Sequence, residues 1–220
     1  MSEPTARETL AGTAVYTPEW LAEYDAVVLE KVCRQVWRCD PSVMLEWYER
    51  NIGSRHVDLG PGTGYFLDKC RHSSPRPRIA LVDLNSAVLV EAATRLRRFG
   101  PVTFQRDVLS PFALDDETFH SAGLNFLLHC LPGEMARKAR VLDHARAHVV
   151  PGGRVFGSTV LMDGVRHSKA ARRLLDTLND RGTFSNRGDS LEGLSAELAS
   201  RFTDHRLIVH GSVALFEARA

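Results

Sequence analysis

His56-Val57-Asp58-Leu59-Gly60-Pro61-Gly62-Thr63-Gly64-Tyr65-Phe66-Leu67 is the stretch on which the reading of this chain turns. A short apolar run ends in an acid, glycines follow at alternate positions, and an apolar segment able to start a helix comes next. Glycine reaches positive φ at little steric cost and lets a ligand approach the backbone. A helix N-terminus behind such a loop presents unpaired N–H groups and a partial positive charge. Residues 57–67 are therefore expected to form a strand, a ligand-binding loop and a helix. A dinucleotide loop would follow Gly-x-Gly-x-x-Gly; here the spacing is Gly60-x-Gly62-x-Gly64, with Asp58 two residues ahead. An acid at that place suits a ligand carrying an ammonium group better than a pyrophosphate.

Outward from this loop, strand and helix signals alternate. Ahead of it, Thr17-Pro18-Glu19 is a helix start with Thr as N-cap, and Trp20, Leu21, Tyr24, Val27, Val28 and Val32 follow at helical spacing. Cys39-Asp40-Pro41 interrupts that helix, and a second spans about 42–51, ended by Gly53. After the loop, 66–72 completes the first core helix and 73–77 is a turn. Three further pieces end at or near acids or turns: strand 78–83, helix 87–99 and strand 102–107. Strand 119–126 precedes a helix from Pro132-Gly133-Glu134 to about 149. Pro151-Gly152-Gly153 is a turn before strand 154–161, and a helix runs from about 165 to 179. Loop 181–189, helix 190–201 and two alternating strands, 204–210 and 212–218, joined at Gly211, close the pattern. Five alternating units imply an α/β fold with a mostly parallel sheet covered on both faces. The tight final pair must be an antiparallel β-hairpin. Asp58, Asp83 and Asp107 all fall at strand ends, where open α/β sheets bind ligands.

Length and composition agree with one domain over 1–220. It comprises an N-terminal helical extension (1–54), a ligand-binding core (55–162) and C-terminal helices, loop and hairpin (163–220). The chain has 44% hydrophobic and 25% charged residues and a net charge of +1, so no global field draws it to nucleic acid or lipid. The four cysteines, Cys33, Cys39, Cys70 and Cys130, form no Cys-x-x-Cys pair and read as free thiols. No His/Glu cluster suggests a metal. No apolar run approaches the roughly 20 residues of a membrane span, and residues 1–13 lack the apolar core of a signal peptide. A cytoplasmic protein is expected, monomeric or homodimeric, with no nucleic-acid or membrane partner.

The loop and its acid resemble the first motif of the class I S-adenosylmethionine (SAM) dependent methyltransferases, Asp/Glu-x-Gly-x-Gly-x-Gly, matched without a gap. Gly123-Leu124-Asn125-Phe126-Leu127-Leu128-His129-Cys130-Leu131-Pro132-Gly133 is similar to the family's fourth motif, and Pro151-Gly152-Gly153 to its Pro-Gly-Gly before strand five. The good match covers about 56–162. Tyr16-Thr17-Pro18, Tyr24-Asp25, Trp37-Arg38-Cys39 and Asn179-x-x-Gly182-x-Phe184-x-Asn186 also resemble a small-protein branch of that family. The resemblance implies a Rossmann-like methyltransferase fold with SAM as cofactor and S-adenosylhomocysteine as product.

It also implies roles. Asp58 and the backbone of Gly60 and Gly62 would hold the methionine part of SAM, with Pro61 and Gly64 also in the cofactor site. Asp83, 23 residues after Gly60, would take the ribose hydroxyls with Leu84 beside it, or else stabilise the dipole of the helix that Asn85 starts. Asp107 and Val108 would meet the adenine, unless Asp107 is simply a solvated strand-end acid. Asn125 would complete the cofactor site at the mouth of strand four. His129 is the candidate general base, with packing or helix capping as its alternative. Tyr16 and Tyr24 would close over the methyl donor or pack; Asp163 and His167 would line an acceptor pocket; loop 181–189 would be a lid or a plain surface loop. No basic stripe with interleaved aromatics marks nucleic acid, and strand four lacks an Asn/Asp-Pro-Pro-Tyr motif. The expected reaction is methyl transfer to a small-molecule acceptor, plausibly in specialised metabolism. The alternatives are SAM binding without methyl transfer, by a cyclase-like catalyst or a regulatory partner, and a nicotinamide-binding protein of similar topology.

Overall fold

The computed structural model describes residues 16–115 and 117–220. The expectation that residues 1 to about 15 fray or fold over a ligand lies outside them. Seven strands form one sheet in the order β3-β2-β1-β4-β5-β7-β6. They are β1 (Arg55–Leu59), β2 (Arg78–Asp83), β3 (Val102–Gln105), β4 (Phe119–Asn125), β5 (Val149–Val160), β6 (His205–His210) and β7 (Val213–Arg219). β1 to β5 run parallel, while β7 lies antiparallel between β5 and β6. β1 pairs with β2 on one side and β4 on the other. The chain order reverses there, which opens a crevice at the carboxyl ends of β1 and β4.

Side chains alternate between two apolar layers, as a period of two requires. Val57, Leu59, Ala80, Val82 and Leu124 face one core, packed against α5 (Met135–Lys138), α6 (Arg140–Ala147) and α8 (Leu191–Arg201). Ile79, Leu81 and Phe156 face the other. That second layer is covered by the N-terminal helices, by α4 (Ser86–Arg95) and by α7 (Lys169–Asp180). In the N-terminal extension, α1 (Pro18–Tyr24) is capped by Thr17 and continues as a π-helical segment (Asp25–Trp37). There Leu29, Cys33 and Trp37, four residues apart, are buried together. After it, α2 (Pro41–Asn51) is capped by Asp40. Trp47 Nε1 donates to Phe216 O (3.1 Å) and Ser212 N to Trp37 O (2.8 Å), which joins the extension to the C-terminal hairpin.

Several expected boundaries move, each for a local reason. Helix α2 is closed by Ile52 in extended conformation, and Gly53 instead donates its N–H to Ser121 Oγ (2.8 Å). The helix after the glycine loop, α3 (Tyr65–Lys69), is only five residues long. His72, expected inside it, turns its imidazole back onto Leu67 O (2.8 Å) and so caps a terminal carbonyl. Asn85 caps α4, which ends at Arg95 before a 3₁₀ turn at Arg97–Phe99. β3 ends at Gln105, leaving Asp107 in a turn where its Oδ1 accepts from Leu109 N (2.9 Å). β4 stops at Asn125 because Phe126 takes a left-handed φ of 53°. Pro151-Gly152-Gly153 lies within β5 as an irregularity: the ladder to β4 passes from Phe119↔Val149 to Ser121↔Arg154. Helix α7 starts at Lys169, since Ser168 Oγ caps Ala171 N (3.0 Å).

Loop 181–189 is neither a plain surface loop nor detached from the core at its far end. Asn186 and Asp189 are both fully buried. Asn179 and Asn186 exchange amide hydrogen bonds (2.8 and 3.0 Å), and Asn186 Nδ2 reaches Val160 O (2.8 Å). Lys138 Nζ, itself buried, holds both Asp189 oxygens at 2.8 and 2.7 Å. Burial pushes the Lys138 pKa down and the Asp189 pKa up, against their mutual attraction. Removing one partner of such a pair strands the other charge without water. Asp189→Ala is therefore expected to cost about 3–5 kcal/mol in urea unfolding, and the joint replacement Lys138→Met with Asp189→Leu much less.

Candidate active site

A cavity open to solvent lies over the carboxyl ends of β1, β2 and β4 and the turn after β3. Its floor is the loop between β1 and α3. Gly60 has φ +70°, a conformation that favours glycine, and a Cβ there would lie 2.8 Å from Leu127 Cδ1, so that side chain would have to shift. Gly60 N donates to Val82 O (2.8 Å), which pins the loop to β2. Thr63 is buried and donates from Oγ1 to Asp25 Oδ1 (2.6 Å); Arg95 Nη1 takes Asp25 Oδ2 (2.6 Å). The N-terminal extension is thus fastened directly to the glycine loop.

All eleven residues expected around the cofactor line this cavity: Tyr16, Asp58, Gly60, Pro61, Gly62, Gly64, Asp83, Leu84, Asp107, Val108 and Asn125. Asp58, at the end of β1, is 4% exposed, and Oδ2 accepts from Tyr48 Oη (2.6 Å). Asp83 Oδ1 accepts from Asn85 N (2.8 Å). Burial raises its pKa to about 6, although backbone N–H groups of Asn85 and Leu84 pull it down; the Asp58 charge adds to the rise. Asn125 Oδ1 accepts from Ser158 Oγ (3.1 Å), while its buried Nδ2 has no partner among the described residues. A buried donor without a partner costs free energy. Phe126, beside it, carries the left-handed strain into the same wall.

Tyr16 and Tyr24 close one side, with ring centroids 6.1 Å apart. Tyr16 Oη lies 3.6 Å from Cys130 Sγ, and Asn85 Nδ2 donates to Tyr16 O (3.2 Å). Burial raises both tyrosine pKa values and pushes the Cys130 thiol up to about 11, so all three stay protonated at neutral pH.

His129 does not line the cavity. It is 3% exposed and its ring lies against Phe184, with centroids 4.2 Å apart. Its Nδ1 accepts from Val160 N (3.1 Å), and burial, with Lys138 adding to the effect, lowers its pKa to about 3. Asp163 and His167 also lie away from the cavity: Asp163 is exposed, and His167 bonds Ser212 Oγ (2.9 Å) and Met162 O (3.0 Å). Sequence reasoning missed Thr63, Phe126 and Cys130 as lining residues, and Tyr48 and His56 behind Asp58. The one signal for Thr63 was its place inside the loop.

A family model described as a methyltransferase domain matches residues 57–155, from β1 into β5. A demethylluteothin O-methyltransferase from Streptomyces thioluteus is 39% identical over 212 residues, covering 96% of this chain and 92% of that protein. A physcion biosynthesis cluster O-methyltransferase from Aspergillus chevalieri is 34% identical over 218 residues, covering 98% and 97%. Among solved structures, the complex of DhpI with S-adenosylhomocysteine shares the fold at a TM-score of 0.68 over 98% of each chain, with 17% identity. With relatives of this similarity matched nearly end to end, the chain belongs to the class I S-adenosylmethionine-dependent methyltransferases.

Proposed function

We propose that this protein transfers a methyl group from SAM to a hydroxyl oxygen of a small organic acceptor in specialised metabolism. The observation that carries the reading is the convergence of Asp58, Asp83 and Asp107 on one cavity whose floor is the glycine loop. The choice of oxygen rests on relatives that are named O-methyltransferases. Bound SAM supplies a methyl on a sulfonium, open to in-line attack. Asp58 would hold the ligand's ammonium, and the backbone around Gly60 and Gly62 its methionine portion. Asp83 would accept from the ribose hydroxyls and Asp107 would face the adenine. Asn125 Nδ2, the unpartnered donor, would meet a ligand oxygen. Tyr16, Phe126 and Cys130 would border the acceptor, where they exclude water and align it. Alignment of this kind can lower a barrier by about 7–11 kcal/mol.

We assign His129 to packing between β5 and loop 181–189, not to proton transfer, because its Nδ1 is already engaged and its ring is enclosed. His129→Asn keeps an acceptor for Val160 N–H. Its kcat is expected to stay within about threefold of wild type, whereas loss of a general base would cost roughly 10²–10⁴-fold.

Titration calorimetry with SAM, S-adenosylhomocysteine and NADH tests the cofactor; binding of the two adenosyl ligands but not NADH is expected. Transfer from labelled SAM to phenols and enols then tests the reaction, and binding with no transfer to any acceptor would overturn it. Asp83 adds a pH signature. Its folded pKa of about 6 lies above the usual carboxyl value, so the proton-bound free protein is favoured. That contribution to stability is present below about pH 4 and is lost as pH rises through about 6. Ribose hydroxyls donate to the ionised form, so S-adenosylhomocysteine affinity should rise as pH increases through about 6 and then level off. Asp83→Asn is expected to weaken binding and flatten that profile.

A further inference from the structure

Behind Asp58 lies a chain of buried polar groups that the cofactor motif does not explain. His56 and Asp58 occupy one face of β1, and in the ladder they stand opposite Ser121 and Gly123 of β4. Tyr48, from α2, covers that face. Tyr48, His56 and Ser121 are all fully buried. The surroundings are apolar and aromatic: the Tyr48 ring stacks on Phe66 and meets Phe156 edge-on, with centroids 5.7 and 5.1 Å apart.

The hydrogen bonds in this chain have one consistent direction. Tyr48 Oη donates its single proton to Asp58 Oδ2 (2.6 Å). Its oxygen must therefore accept from His56 Nε2 at 2.8 Å. In a neutral ring His56 Nδ1 is then an acceptor and takes the hydroxyl proton of Ser121 (2.8 Å). Ser121 Oγ in turn accepts from Gly53 N (2.8 Å). His56 Nε2 stands 3.7 Å from Asp58 Oδ2, too far for a direct hydrogen bond, and the phenol bridges the two. A Cβ on Gly123 would come within 3.1 Å of His56 Cε1 and Nε2, so the bare glycine leaves the room the imidazole uses.

We infer that Tyr48, His56 and Ser121 are positioning residues that fix the Asp58 carboxylate for the ammonium group of the cofactor. A face built for stability alone would be cheaper in Val or Leu, because every member of a buried polar network must be satisfied. Here each member is satisfied and the chain ends on the one acid at the cavity floor. A neutral phenol orients that acid without cancelling its charge, which leaves the charge available to a ligand cation. Backbone N–H of Gly53 anchors the far end, so the geometry is set by the α2–β1 connection and β4 rather than by a mobile side chain.

The inference rests on SAM as cofactor, and two ligands separate the two claims. S-adenosylhomocysteine carries the ammonium; 5′-methylthioadenosine shares the adenosine and thioether but lacks the amino-acid end. In calorimetry at neutral pH, Tyr48→Phe is expected to weaken S-adenosylhomocysteine by roughly tenfold and to leave 5′-methylthioadenosine within about twofold, since a hydrogen bond to a charged group is lost. In an Asp58→Asn background, Tyr48→Phe should add no further loss for either ligand. If Tyr48→Phe is not recovered folded, Ser121→Ala makes the same comparison by removing a single hydroxyl. Equal weakening of both ligands, or unchanged S-adenosylhomocysteine affinity in a folded variant, would overturn the positioning role. Failure of the wild-type protein to bind S-adenosylhomocysteine would overturn the cofactor reading instead.

Discussion

A strand buried on both faces can carry a charge only where that charge has a partner on hand, and β1 meets this constraint at Asp58. Its alternate residues Val57 and Leu59 enter one apolar layer, while His56 and Asp58 enter the other. The polar pair is tolerable because Tyr48 closes the distance between them and Ser121 satisfies the remaining ring nitrogen. The same strand sits where the chain order reverses, so the crevice opens beside it. Charge, cavity and topology therefore meet at one residue. The glycine loop follows directly on this strand, with Gly60 at positive φ beside Leu127 and its N–H bonded to Val82 O.

Much of this was legible because it is local. Period-two burial and strand-end acids gave β2 its observed bounds and brought Asp58 and Asp83 to the cavity. Turn residues gave the hairpin of β6 and β7. What sequence could not display depends on partners far apart along the chain. The Tyr48–His56–Ser121 relay joins residues 8 and 65 positions apart, and none of its members carries a motif. His129 sat in a recognisable segment, but the direction of its ring is set by Val160 and Phe184. Loop 181–189 has the composition of a surface loop, yet Lys138 draws it inward from 51 residues away. His72 belonged by spacing to a helix; its imidazole instead competes for that helix's carbonyl. For His129 and loop 181–189 a hydrogen bond between distant residues overrode a local preference, whereas His72 was redirected by a carbonyl only five residues back.

The N-terminal extension has a share in both ends of the site. Asp25 holds Thr63 in the loop and Arg95 on α4, and Arg95 also reaches Asp68 on α3 (3.2 Å). Tyr16 is tied through its carbonyl to Asn85, two residues beyond Asp83. Displacing the extension would thus disturb the loop and the wall near Asp83 together, through hydrogen bonds that belong to neither motif.

The position of β7 has a consequence for the order in which this protein can assemble. It follows β6 in sequence, yet it lies inside the sheet, between β5 and β6. During synthesis β6 emerges first and has no neighbour until Val213–Arg219 follows. Trp47, from the first quarter of the chain, also waits for it, since its indole donates to Phe216 O. The Trp47–Phe216 hydrogen bond, between residues 169 positions apart, therefore forms only with the closing of this part of the sheet. Such long-range closure slows folding. Until Val213–Arg219 is in place, β5 presents an unpaired edge, so any state in which this segment is detached exposes a strand edge prone to aggregation.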